Sequence, residues 1–167
     1  MKPLLQHIVT TPLGPMRLAA SPSGLVGAWF THDALGPPPD EVAQWQSAPD
    51  HRVLTVAAEQ LTAYFRGELH AFDLPLDLDT GTPFQVAAWS ELMDIAWGET
   101  ISYGELARRL GKPSAARAAG TAIGRNPLSI IVPCHRVVGA NGSLTGYAGG
   151  LPRKAALLQL EQRRVLA

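Results

Sequence analysis

Short apolar-rich runs at Leu4–Thr10, Pro15–Ser21 and Leu25–Phe30, separated by Gly- and Pro-containing turns, predict three strands in a small β-meander. A Pro-rich loop covers Gly36–Asp40. The apolar period then changes: Val53, Leu54, Ala57, Leu61, Tyr64 and Phe65 recur at helical spacing and stop at Gly67, so one helix is expected to pack on the meander. Asp77-Leu78-Asp79-Thr80-Gly81 is a short acidic, turn-rich link. Directly after it, Thr82-Pro83-Phe84-Gln85 places Thr at an N-cap, Pro at the first helical position and Gln at the third, a capping box. Phe84, Ala88, Leu92 and Ile95 mark one apolar face of that helix, closed by Trp97-Gly98. Ser102-Tyr103-Gly104-Glu105 repeats the capping signature and opens a helix with Leu106 and Leu110 at i, i+4, ending at Gly111. After a Lys112-Pro113 turn, Ser114 is the expected N-cap of a third helix, Ala115–Ile123. Asn126-Pro127 turns the chain into an apolar strand ending at Cys134, and Pro152 opens a last helix with Leu157, Leu158 and Leu160 on one side. The fold class is therefore α/β. Residues 1–79 are expected to form a small α/β domain, a three-stranded meander plus helix; residues 80–167 form a mainly helical domain whose helix, short turn and helix have the layout of a helix-turn-helix.

Composition sets the scale. With 167 residues, 46% of them hydrophobic, the chain can bury a full core. No apolar run approaches a membrane span, and Met1-Lys2-Pro3 does not lead into a signal-peptide core. The net charge of zero conceals an asymmetry. Residues 1–100 carry four basic side chains against twelve acidic ones, and residues 101–167 carry ten basic against two acidic, Glu105 and Glu161. Such a split points the second half toward a polyanion.

The chemistry concentrates in Val132-Pro133-Cys134-His135-Arg136-Val137-Val138-Gly139. Cys134 is the only cysteine, so no internal disulfide can form, and a reducing compartment such as the cytoplasm is expected. A lone cysteine after Ile130-Ile131-Val132 is by itself more often inert core than nucleophile. The polar residues that follow shift that balance, because Pro133, His135 and Arg136 do not suit a buried central strand and imply a strand end open to a ligand. His7, His32, His51 and His70 are scattered without metal-ligand spacing. Ala115, Ala116, Ala118, Ala119, Gly120 and Ala122 give the third helix a nearly bare surface from which Arg117 is the one long projection. Such a helix can lie close to DNA, although a small-residue helix packed on its neighbour reads the same way.

Pro133-Cys134-His135-Arg136-Val137-Val138-Gly139 closely resembles the O6-alkylguanine-DNA alkyltransferase family, together with Asn126-Pro127, Gly98-Glu99-Thr100-Ile101-Ser102-Tyr103 and Gly146-Tyr147-Ala148-Gly149-Gly150. The resemblance runs from about Thr82 to Glu161. It implies a helix-turn-helix in the minor groove, a flipped guanine and irreversible transfer of its alkyl group to the protein in a single turnover. By position, Cys134 is the implied acceptor, His135 the base, Glu161 the carboxylate orienting His135, Asn126 the brace of the turn, and Tyr103 the phenol near the flipped base. Arg117 is the implied finger that fills the vacated stack. Ser114, Ala115, Ala116, Thr121, Arg125 and Arg136 complete the expected DNA-contacting set, and Val137, Tyr147, Ala148 and Gly149 join Tyr103 around the guanine pocket. The partner is double-stranded DNA bearing O6-alkylguanine; a monomer without cofactor, metal or membrane contact is expected. Ala96 stands where the family usually has proline. The first half lacks the cysteines that hold a structural zinc in some members.

Displacement at a saturated carbon requires a thiolate, an aligned pocket and a proton for the departing guanine, but no oxyanion hole. Cys134 and His135 are neighbours that point apart in an extended chain, so a bridging water is the natural link between them. A thiol hydrolase would need an oxyanion hole, and no Gly-rich turn precedes Cys134 to build one. A non-catalytic lesion-binding module would not need Cys134, and a plain transcription regulator would not need the Pro-Cys-His-Arg segment.

Overall fold

The computed structural model describes residues 4–33 and 36–166, with side chains described as far as residue 162; Met1-Lys2-Pro3 lies outside the described residues. The meander forms as β1 (Leu5–Thr11), β2 (Gly14–Ser21) and β3 (Gly24–Phe30), paired antiparallel. A fourth strand, β4 (Gln46–Ser47), adds parallel to the free edge of β1, giving the order β3-β2-β1-β4. At two residues it is too short to leave a periodic signal. One turn of helix, α1 (Pro39–Val42), starts inside the expected Pro-rich loop, with Pro39 at its beginning. Helix α2 (Arg52–Phe65) buries Leu54, Ala57, Leu61 and Tyr64.

The second half opens with α3 (Pro83–Leu92), whose capping box is complete: Gln85 N donates to Thr82 Oγ1 at 3.2 Å, and Thr82 N donates to Gln85 Oε1 at 2.9 Å. Ile95 is buried but lies beyond the helix. A short parallel ladder joins β5 (Ile101–Ser102) to β6 (Val137–Val138). Helix α4 (Tyr103–Arg109) has only half of its expected box. Ser102 Oγ accepts from Glu105 N at 3.0 Å, but the Glu105 carboxylate turns to Arg108 and Arg109 instead of the cap. Gly111, at φ 74°, closes this helix in the left-handed conformation that glycine adopts cheaply.

Helix α5 (Ala116–Gly124) begins one residue later than the sequence suggests, and Ser114 does not cap it. Ala115 N donates to Lys112 O at 2.8 Å, so Ser114 is consumed in that turn and Ala115 takes the N-cap position. The strand expected before Cys134 is also absent. Ile130 takes φ 73°, Ile131 N donates to Ser129 O, and Cys134–Arg136 form a single 3-10 turn. The apolar run is buried in the common core without pairing as a strand. Helix α6 (Leu151–Leu166) completes the chain, and no helix among the described residues is long and apolar enough to cross a membrane.

One core runs through both halves. Met16, Leu18, Phe30, Leu54, Leu61 and Tyr64 cluster with Trp89, Leu92, Leu106, Ile123, Leu128 and Leu157. The edge of β3 extends this continuity in the backbone: Ala28 N donates to Pro127 O at 2.8 Å, and Ser129 N donates to Ala28 O at 3.0 Å. The first half therefore holds the turn that delivers the cysteine.

Candidate active site

Asn126 fixes that turn from inside. Buried at 7% exposure, it accepts from Leu128 N at 2.9 Å and donates its amide to Val132 O at 2.8 Å, satisfying backbone groups that no strand partner reaches. The chain then passes Pro133 and coils through the 3-10 turn, which leaves Cys134 half-buried and His135 and Arg136 fully within the protein.

Cys134 opens into a cavity of about 350 Å³ lined by Tyr103, Gly120, Ile123, Asn126, Ser129, Gly146, Tyr147 and Ala148. Gly120 matters here because a Cβ on it would lie 3.3 Å from the Tyr103 ring, so its bareness lets α5 pass close over the phenol. Tyr103 Oη donates to Thr145 O at 2.8 Å and thereby ties α4 to the loop carrying Tyr147 and Ala148. Arg153 braces the same loop from α6, donating to Gly149 O at 3.0 Å and Leu13 O at 2.9 Å while its guanidinium lies 4.2 Å over the Phe30 ring. Val137 and Gly149, expected in the pocket lining, are both buried behind it. Val137 is covered completely, its carbonyl accepting from Lys154 Nζ at 2.7 Å, and Gly149 lies beside the Phe30 and Tyr147 rings.

Behind the cysteine lies a compact ionic cluster centred on Glu161. His135 Nε2 is 2.7 Å from Glu161 Oε2, Arg136 Nε donates to Oε1 at 2.8 Å and Nη2 to Oε2 at 3.1 Å, and the Tyr64 phenol donates to Oε2 at 2.6 Å. Glu161 is 1% exposed, so the residue that a helical surface pattern would assign to solvent is the best-shielded carboxylate of the half. Burial alone would raise its pKa, but the bonds from His135 and Arg136 outweigh that effect and hold the carboxyl down at about 2. Burial pushes His135 below its ordinary value despite the carboxylate, so the ring is neutral near pH 7. With Nε2–H donating to Glu161, Nδ1 is the basic nitrogen, and it has no hydrogen-bond partner among the described residues. Burial pushes the Cys134 thiol upward, opposed by the Asn126 amide and the Lys154 charge.

Arg136 is thus not a surface cation for DNA. Its guanidinium spans Glu161 and the Ile95 carbonyl, and it is 6% exposed. Ser114, Arg117, Thr121 and Arg125 are exposed on and beside α5, and Ala115 and Ala116 are half-buried at its start. Arg108 and Arg109 pair with Glu105, whose carboxyl their bonds hold down at about 2. Two buried polar residues beside the site lie outside the set the sequence pointed to. Tyr64 reads as a core position of α2, and Lys154, fully buried, donates to Val137 O and Thr145 O, both at 2.7 Å. The signal for Lys154 is periodicity: Lys154, Leu157 and Glu161 fall at i, i+3 and i+7, one buried face.

Residues 83–163 match the family described as 6-O-methylguanine DNA methyltransferase, DNA binding domain, and residues 4–78 match its ribonuclease-like domain. A methylated-DNA--protein-cysteine methyltransferase of Mycobacterium bovis is 48% identical over 159 residues, covering 95% of this chain and 93% of the relative. The protein of that name from Methanosarcina acetivorans is 46% identical over 155 residues, covering 92% and 96%. Among solved structures, the Mycobacterium tuberculosis OGT in complex with DNA superposes with a TM-score of 0.86 at 46% identity, over 96% of this chain and 94% of that one.

Proposed function

Since the chain belongs to the 6-O-methylguanine DNA methyltransferase family, we propose that it repairs DNA by turning an O6-alkylguanine out of the duplex and moving the alkyl group to Cys134, once per molecule. The carrying observation is the half-buried thiol in the lining of a cavity, next in the chain to an imidazole whose orientation a buried carboxylate fixes. The thiol proton passes to His135 Nδ1, with water as the bridge, and the thiolate attacks the alkyl carbon in line with O6. A C–S bond forms, the C–O6 bond breaks with its electron pair leaving on guanine, and guanine takes up a proton. Atoms balance as thiol plus O-alkylguanine giving thioether plus guanine. A thioether offers water no carbonyl to attack, so the protein is consumed.

In this reading, residues 80–167 carry DNA binding and chemistry, and residues 1–79 brace the turn through Ala28 and the relay through Tyr64. Helix α5 lies along the groove with Arg117 entering the stack, Ser114, Thr121 and Arg125 contact the backbone, and Tyr103, Tyr147 and Ala148 enclose the base. The protein acts as a monomer in the cytoplasm. Intact-protein mass after mixing with duplex DNA containing O6-methylguanine tests the reading: one methyl group per chain, mapped to Cys134, is expected. Repeated turnover, or a methyl group elsewhere, overturns it. Cys134→Ser, which keeps the volume but hardly ionises, should abolish transfer and retain DNA binding.

A further inference from the structure

The Glu161 carboxylate has more donors than an orienting role requires. Oε2 accepts from His135 Nε2 at 2.7 Å and from Tyr64 Oη at 2.6 Å, while Arg136 spans both oxygens. Tyr64 comes from α2, 97 positions away in sequence, and its ring is held by Phe65 at 5.3 Å, Phe72 at 5.6 Å and Trp97 at 5.3 Å between centroids. The aromatic clamp aims the phenol before any substrate arrives. We propose that Tyr64 is a positioning residue of the transfer reaction: by donating to the oxygen that His135 also uses, it limits how strongly Glu161 draws on the imidazole and so sets the basicity of Nδ1.

This inference rests on the transfer reading above for its purpose, though not for its measurement. The groups that bear on His135 are Glu161 and Lys154 from α6, Arg136 from its own turn, and Tyr64 from α2 acting through Glu161; Tyr147 bears on Tyr64 from the pocket loop. Burial holds the Tyr64 phenol well above its ordinary value, so it remains a donor throughout the working range. Removing its hydrogen bond leaves more of the carboxylate charge to act on Nε2–H. That favours imidazolium, makes Nδ1 a stronger base and eases loss of the thiol proton. Glu161→Gln has the opposite sign, because it deletes the charge itself.

The test uses the full chain with labelled histidine. In Tyr64→Phe, the NMR titration of His135 should move up by about half a pH unit or more, and the pH profile of Cys134 alkylation by iodoacetamide should move down. Both shifts should vanish in the Glu161→Gln background, since the path runs through that carboxylate. Site-specific difluorotyrosine at position 64, a stronger donor with the same ring, should move His135 the other way and serves should the Phe variant fold poorly. A Tyr64→Phe titration that overlays the parent, or a shift that survives Glu161→Gln, overturns the proposal. A parent chain that accepts no methyl group from DNA sinks the transfer reading, while the His135 titration still decides the coupling.

Discussion

Arg136 and Glu161 meet inside the protein as a two-pronged pair, with Nε on Oε1 at 2.8 Å and Nη2 on Oε2 at 3.1 Å, and with side chains 7% and 1% exposed. A cation beside the nucleophile is therefore spent on structure. Arg136→Ala leaves a buried carboxylate short of its counter-charge and should cost about 3–5 kcal/mol in chemical denaturation. Arg136→Lys should recover only part, since an ammonium cannot reproduce the fork.

Part of the basic excess of the second half is not at the surface, since Arg136 and Lys154 are buried. Among the described residues, Lys112, Arg117 and Arg125 are the exposed cations of the second half without a carboxylate partner. Each that contacts a phosphate should contribute about 0.9 to the slope of log affinity against log salt. Filter or anisotropy binding across a salt series should show the slope falling in Arg125→Ala and unchanged in folded Arg136→Lys.

Arg117 projects from a helix otherwise built of Ala, Gly, Thr and Ile. Extruding a base costs a few kcal/mol, and an inserted side chain offsets part of that cost. Arg117→Ala should slow methyl transfer from duplex DNA by about tenfold or more while leaving reaction with the free alkylated base nearly intact. Equal slowing of both removes Arg117 from the stack.

Thiol chemistry should show its burial in the pH profile. Desolvation holds Cys134 above the ordinary thiol value, so alkylation of the free protein should keep rising with pH beyond about 8.5. Glu161→Gln should displace that profile to higher pH, and His135→Ala further. The double variant should be little worse than His135→Ala, because the two groups act in series.

Acid should unfold the site in two stages. His135 is held below its ordinary 6.5, so the stability tied to its neutral form is present above that pH and is lost as pH falls toward the folded value. Glu161, held at about 2 against an ordinary 4.5, contributes stability above 4.5 that disappears between 4.5 and 2. Denaturation midpoints across pH 7 to 2 should decline over both windows, and Glu161→Gln should flatten the lower one.

Elements whose cause is local were legible in the sequence. The Thr82 box, the α2 face and the Gly111 stop each depend on residues within a turn of one another. Ser114 misled because its capping role depends on how the preceding turn closes, which the Ala115–Lys112 bond decides. Ile130-Ile131-Val132 misled because β-branched residues favour a strand, whereas the tertiary setting holds Ile130 at φ 73°. The contact between His135 and Glu161 was reachable through resemblance. The phenol of Tyr64 was not, since nothing near it in sequence records a partner 97 residues away.

The seam at Ala28 and Tyr64 constrains how such a chain can be inherited. Strand β3 completes the backbone pairing of the Pro127–Ser129 turn, and α2 supplies a donor to the carboxylate of the last helix. The halves are therefore poor cassettes for exchange: a foreign first half would have to arrive with the same edge alignment and a phenol at the same depth. Substitutions on either side of the seam are free to drift only in concert, so lineages should retain or lose these contacts as a set.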